Sequence, residues 1–298
     1  LGHHSEKTFG AIPYLVKGRH RGMSVSVMVD VPKFSKSSIR AVEGLLVLAP
    51  GHEDGINIDS NDPPLTNTCT RSPDFMFLTH VDDTAQHNQW KEHFRDMKRI
   101  FHEGDLGRHN WIGDESLNDV EVLLEHRSNV MDEKLIAMSL DGLDVKEIDC
   151  ELNVDKDVHV AITDTSKQIH ALFQEWESDF IIFHTPGHSN GSIALLHKSH
   201  DGATRSHGTL FTGDTYAFTT RDGGHMTGFP RYGNDLSIQS RTLQCIKALS
   251  PHYDRIACGH GHIRDYTRAH SRRGDDYSMA QKLSDIEDAM KELQAYET

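Results

Sequence analysis

Residues 180–192 read FIIFHTPGHSNGS, an apolar run followed by a turn of proline, glycine and serine with His188 at its centre. The same design recurs at FMFLTHVDDTAQH (75–87), TLFTGDT (209–215) and RIACGHGH (255–262). In each, a strand-forming stretch ends in a tight turn that carries histidine or aspartate. Strand ends are rigid, and the turns beyond them can aim side chains at one point, as a preformed metal site requires. Any one of these segments alone reads as an ordinary turn: a lone Gly-His-Gly is common, and a lone Asp214 is a turn cap. Their repetition is what points to a metal centre.

Outward from these segments, residues 23–29 read as a strand ending at Asp30, with a polar helix near 36–44 and an apolar run at 45–48. Residues 51–73 are rich in Gly, Asp, Asn, Pro and Thr and read as a long loop. Trp90, Phe94 and Met97 repeat at helical spacing, which places His87 near the start of an amphipathic helix. Strands are expected at 120–124, 134–138, 158–162, 180–183, 192–196, 209–211 and 255–258, and a helix at 236–249. Met279, Leu283, Ile286, Met290 and Leu293 mark one face of a C-terminal amphipathic helix at about 276–296. Strands and helices alternate without the regular βαβ order of a doubly wound sheet.

Forty-five acidic against 31 basic residues give a net charge of −14, which disfavours nucleic acid and anionic membranes as partners and leaves a small-molecule substrate. No apolar run approaches membrane-spanning length, so a soluble protein of the cytoplasm or plastid is expected. The chain starts at Leu1, so a targeting segment upstream of it would not be readable. Oligomeric state is not legible. The four cysteines (Cys69, Cys150, Cys245, Cys258) form no C-x-x-C pair and read as buried or free thiols. Of the 22 histidines, His102, His197, His200 and His207 lie in polar surroundings and read as exposed.

TPGHSNGS, LFTGD and CGHG, in that order, resemble the third, fourth and fifth motifs of the metallo-β-lactamase superfamily, and the resemblance extends from Asp30 to His262. It implies an α/β chain folded as an αββα four-layer sandwich, a single domain over residues 1–298 with metals at one sheet edge. It also implies that His188 is the ligand of the third motif, Asp214 the carboxylate that bridges two metals and His260 the last ligand. Asp30 matches the acidic residue that closes an early strand and supports the site.

The second motif departs from the family's usual H-x-H-x-D-H. Here His80, Asp82, Gln86 and His87 align with it, with aspartate in place of the second histidine and two residues inserted. A plant and cyanobacterial branch of the superfamily carries a similar T-H-x-D-D-x-x-x-H sequence. The metal set is therefore expected to be His80, Asp82, His87, His188, Asp214 and His260, with Asp214 and His188 the catalytic centre. Gln86 is expected to be a weak ligand at best. A step of two from His80 places Asp82 on the metal side of an extended segment and turns Asp83 away, toward the start of the helix, as a cap. The loop 219–234 borders the substrate pocket in the family, so His225 and Arg231 are candidate substrate contacts. Cys258, two residues before His260, reads as a buried strand residue.

These residues imply one or two divalent metals, zinc foremost, with iron or manganese favoured by the added carboxylate. The reaction expected from the resemblance is hydrolysis of an ester, thioester or lactone carbonyl by a hydroxide generated on the metal. Two alternatives stand beside it: iron redox chemistry of the persulfide dioxygenase or flavodiiron kind, and a non-catalytic protein that keeps a metal for stability. A glutathione-binding helical domain has no room in the 36 residues after His262 (298 − 262).

Overall fold

A computed structural model describes residues 10–47, 72–150, 158–198, 208–267 and 275–297. The expected loop at 51–73 lies almost entirely outside the described residues, as do Cys69, His200 and His207.

The first sheet has the order β1-β2-β3-β4-β5, formed by Tyr14–His20, Met23–Val29, Phe75–Phe77, Lys98–His102 and Val122–Leu124. β1 and β2 are an antiparallel hairpin; β2 through β5 run parallel. The second sheet is built from β6 (Lys134–Met138), β7 (Val145–Asp149), β8 (Phe180–His184), β9 (Ile193–His197), β10 (Thr209–Gly213), β13 (Arg255–Cys258) and β14 (Arg264–Asp265). Its order is β14-β13-β10-β9-β8-β6-β7, and only β10 and β13 are parallel. Between them in sequence, β11 (Ala217–Thr219) and β12 (His225–Thr227) form a separate hairpin.

Strand alternation defines the layers. Val25, Val27 and Val29 of β2 meet Phe180 and Ile182 of β8, and Leu195 and Phe211, in one buried cluster between the sheets. Met28, from the opposite face of β2, packs with Met76, Phe101 and Trp90 beneath α1 (Lys36–Val47) and α2 (His87–His93). Ile181 and Phe183, from the opposite face of β8, pack against α3 (Val158–Glu175), α4 (Leu236–Ala248) and α5 (Asp275–Glu297). The result is helix, sheet, sheet, helix: the αββα sandwich of the metallo-β-lactamase fold.

Three elements differ from the sequence expectation. The apolar run at 158–162 opens α3 rather than forming a strand; its β-branched residues satisfy either reading over so short a window. Helix α2 ends at His93, so Phe94 and Met97 enter the core from the following turn. His102, in a polar run, is fully buried on β4, stacked on His184 with ring centroids 4.1 Å apart.

Candidate metal centre

All four motif segments end at the same edge of the sandwich. β3 delivers Thr79 and His80, β8 leads to His188, β10 ends at Asp214 and β13 leads to His260. Gly213 and Gly187 adopt positive φ (50° and 132°), and a Cβ at Gly187 would fall on the backbone of Gln239 in α4. The backbone N–H of Ile193 donates to Thr79 O (2.9 Å), which locks the edge of one sheet to the other.

A hydrogen-bond chain fixes His80. Asp30 Oδ1 accepts the backbone N–H (2.9 Å) and the hydroxyl (2.8 Å) of Thr79. The Thr79 hydroxyl has one proton and directs it to Asp30, so its oxygen accepts from His80 Nδ1, 3.0 Å away. His80 is therefore the Nδ1–H tautomer, and Nε2 presents a bare lone pair. That atom is buried and has no hydrogen-bond partner. Orienting an imidazole through its other nitrogen is how metal-ligating histidines are held.

His80 Nε2 lies 3.7 Å from Asp82 Oδ2 and 3.9 Å from Asp214 Oδ2. His188 Nε2 lies 3.8 Å and 3.9 Å from the same two oxygens. His80, His188 and Asp214 each offer a ligand atom, all within 4.8 Å of one another. His260 Nε2 approaches Asp214 Oδ2 from the open side, at 3.3 Å. The structure thus brings together His80, Asp82, His188, Asp214 and His260.

It does not bring His87 or Gln86 to them; the expectation for His87 is corrected, while Gln86, expected to be a weak ligand at best, is held elsewhere. His87 is buried, but its Nδ1 lies 3.2 Å from Arg99 Nη1 and its Nε2 is 3.2 Å from Asp114 Oδ2. Both nitrogens are committed, and no lone pair remains for a metal. Gln86, at φ 70°, accepts the Phe34 backbone N–H with its Oε1 (3.1 Å) and donates to Gln89. The two inserted residues carry both side chains past the sheet edge.

Asp83 is the second correction. It caps nothing: α2 has Gln86 at its N-cap position and no side-chain cap. Val81–Thr84 is a 3-10 turn, so the alternation of an extended segment does not apply there and Asp83 turns inward as well as Asp82. Asp83 is fully buried, both its oxygens lack a hydrogen-bond partner, and Oδ2 lies 3.9 Å from His80 Nδ1. Together with Asp214 Oδ1 it crowds Gly259, where a Cβ would sit 2.5 Å from Asp214 and 3.3 Å from Asp83.

Sequence reading also missed Asp105. Buried after β4, it accepts from Val81 N (3.0 Å), Ser189 Oγ (2.7 Å) and Gly191 N (2.6 Å), and so ties the His80 turn to the His188 turn. Its segment, KRIFHEGD (98–105), repeats the pattern of an apolar strand followed by a polar turn. That signal was available.

The protonation pattern is that of a site short of positive charge. Burial raises Asp30 to about 7 and Asp83 well above the carboxylate range, with Asp214 adding to both. Burial, then His188, lowers His80 to about 4, keeping it neutral. Burial also acts against protonated His188 and His260, yet the combined pull of the surrounding carboxylates, led by Asp82 and Asp214 on His188 and by Asp214 on His260, outweighs it and both are raised. Burial opposes ionised Asp214, but His260, His80 and His188 bring it down to about 2. Cys258 is buried, and burial pushes its thiol up to about 12, which removes it as a nucleophile.

The centre opens into a cleft of about 1490 Å³ whose walls include His225 and Arg231. His225 faces Glu292 (3.7 Å), and Arg231 lies over the Tyr232 ring.

No family model and no curated protein matches the sequence. Solved structures similar to it include a class B3 di-zinc metallo-β-lactamase, LRA-12, from an Alaskan soil metagenome, at 14% identity and a TM-score of 0.46. That match covers 96% of this chain and 86% of the other. The FIM-1 metallo-β-lactamase from Pseudomonas aeruginosa in its mono-zinc form is similar at 10% identity and a TM-score of 0.44, covering 94% and 84%. These likenesses are distant; the fold rests on the two sheets, their layers and the converging strand ends.

Proposed function

We propose that the protein is a metal-dependent hydrolase acting on an ester, thioester or lactone carbonyl. The observation that carries this is the bare, buried Nε2 of His80, oriented by Asp30 through Thr79 and facing His188, Asp82 and Asp214. A buried polar atom without a partner costs stability unless something binds it, and two imidazoles with two carboxylates suit a divalent cation. His80, Asp82, His188 and Asp214 would hold that ion, with His260 and Asp83 beside Asp214 on the flank. When bound, the ion supplies Lewis acidity: it acidifies water and polarises a carbonyl oxygen.

The chain's own groups do the rest. Asp30 and Thr79 keep the proton of His80 on Nδ1. Asp105 holds the two ligand turns in register. His260, the most exposed of the imidazoles, stands at the mouth of the cleft beside Asp214 and is placed to exchange a proton with a leaving group. Metal content by mass spectrometry, together with a panel of thioester, lactone and phosphoester substrates, tests the reading. A metal-loaded protein that turns over no member of the panel would overturn it.

The carboxylate-rich donor set favours a second reading, redox chemistry at iron. Asp82 replaces a histidine of the family pattern and Asp83 adds another carboxylate, and such hard donors suit iron or manganese better than an all-histidine set. Iron as the dominant metal, with oxygen consumption dependent on it, would favour this reading over hydrolysis.

A further inference from the structure

We infer that the outer cleft binds a large, anionic substrate portion that carries a planar ring, as the nucleotide half of an acyl carrier thioester does. This deepens the hydrolytic reading by naming the class of leaving group. At about 1490 Å³ the cleft exceeds what a small ester or lactone fills.

Its lining is unusual for this chain. Among the described residues the exposed aromatic side chains are Trp111, Tyr232 and Tyr296, with 59%, 63% and 58% of their surface open to solvent, and all three line this one cleft. Exposed aromatics gathered in one concavity mark a binding surface, whereas scattered ones need no explanation.

Charge gives the second, independent observation. The chain carries a net −14, yet Arg108, Arg221 and Arg231 line the same cleft. Elsewhere Arg21, Arg99, Arg127, Arg255 and Arg264 each hold a carboxylate, while Arg19, Arg40, Arg95 and Arg241 hold none among the described residues; what sets the cleft apart is that three arginines gather in one concavity. The three cleft arginines hold none among the described residues: Arg108 donates to His109 (3.0 Å) and Arg231 lies 5.9 Å from the centre of the Tyr232 ring. The acidic groups of the cleft are accounted for, since Asp82 and Asp214 face the metal centre, Asp105 accepts three hydrogen bonds and Glu292 faces His225.

The arginines and aromatics come from separate segments that are pinned together next to the metal centre. Asn190, two residues after His188, has its amide nitrogen 2.9 Å from His109 Nδ1 and accepts from Asn234 (2.9 Å). This bridge joins the segment of Arg108 and Trp111 to that of Arg231 and Tyr232. A ligand lying between them meets guanidinium groups, which match phosphate or carboxylate oxygens bidentately, and ring faces, which stack on a planar base. Its reactive end would then reach His188 and Asp214.

Coenzyme A and pantetheine are the probes. They share the thiol arm, so any contact of sulfur with the metal cancels in their comparison and only the nucleotide half differs. Calorimetry on the metal-containing protein should show coenzyme A binding at least about tenfold more tightly than pantetheine, with the gap narrowing as salt is raised. Arg231→Gln and Arg108→Gln should each weaken coenzyme A by about fivefold and leave pantetheine unchanged. Trp90 and Trp176 are buried, so Trp111 reports alone: coenzyme A should quench its fluorescence, and Trp111→Phe should abolish the quench while binding persists. Equal affinity for the two probes, no binding of either, or arginine variants without effect would overturn the proposal. Hydrolysis of a small neutral thioester, measured separately, keeps the catalytic reading distinct: its success beside failure of the coenzyme A test removes only the leaving-group class.

Discussion

Two buried histidines seven positions apart, His80 and His87, behave in opposite ways. His80 has its proton on Nδ1, directed at Thr79, and its Nε2 is bare. His87 accepts from Arg99 at Nδ1 and donates at Nε2 to Asp114, so its bonding is complete. Both are buried, and both stand in the segment whose resemblance to a ligand-bearing motif made each a candidate ligand. The difference is satisfaction: a buried polar atom with partners maintains the fold, and one without partners is waiting for something.

That contrast predicts unequal consequences. Asp214→Asn removes the carboxylate that faces three imidazoles and should lower metal affinity by more than about a hundredfold, measured by metal content after dialysis. Thr79→Val breaks the chain that sets the His80 tautomer and should cost about ten- to a hundredfold in metal affinity with the fold retained. If Thr79→Val binds metal as the parent does, the tautomer of His80 is not what prepares the site.

Asp83 sharpens the comparison, because there the outcome changes sign with metal. In chelator-treated protein, Asp83→Asn should raise the melting temperature, since an amide is neutral without the proton that burial and the nearby Asp30 and Asp214 force onto Asp83 when the chain folds. In metal-loaded protein the same substitution should lose stability. A variant more stable in both states would show that Asp83 has no part in holding the cation.

His87→Ala should do the reverse of Thr79→Val. Metal content should be unchanged, while stability falls by about 2–3 kcal/mol in denaturant unfolding, from the cavity and the unpaired Arg99 N–H left behind. Loss of metal in this variant would return His87 to the site.

How much of this was legible follows from what each residue depends on. His188, Asp214 and His260 follow strands directly, so position along the chain dictates position at the sheet edge. Asp82 and Asp83 depend on whether four residues form a 3-10 turn or run extended, and neither propensity nor motif spacing decides that. His87 looked like a ligand because an inserted pair of residues leaves the letters intact while moving the side chain past the edge. Thr79 and Asp105 act through backbone N–H groups and a neighbouring hydroxyl, contacts between segments that no local pattern records. The strand expected at 158–162 failed for a different reason, since a short β-branched run has no periodicity of its own.

The smallest expected effect concerns the histidines that sequence reading placed at the surface or passed over. His102 and His184 are stacked and buried, and each is fully bonded: Nδ1 accepts a backbone N–H, from Gly104 (3.0 Å) and Ser128 (2.8 Å), and Nε2 donates to a carbonyl, of His126 and Asn190. A second proton would have to enter at Nδ1 against an N–H already pointing there. Burial lowers His102 to about 4; burial and then His102 lower His184 to about 3, both from an ordinary 6.5. Because the folded values lie below the unfolded ones, the unfolded chain takes up protons that the folded chain refuses. Stability from this pair is complete above pH 6.5 and declines as pH falls from 6.5 to about 4 for His102 and to about 3 for His184. From pH 7.5 to 5.5 the decline should reach about 2–3 kcal/mol. His102→Gln, which has no such proton to refuse, should flatten the curve by about half relative to the parent, with the metal kept saturating at every pH. Parallel pH profiles would mean that the two rings are not neutral partners, and that a histidine with complete bonding is no guide to a purely structural role.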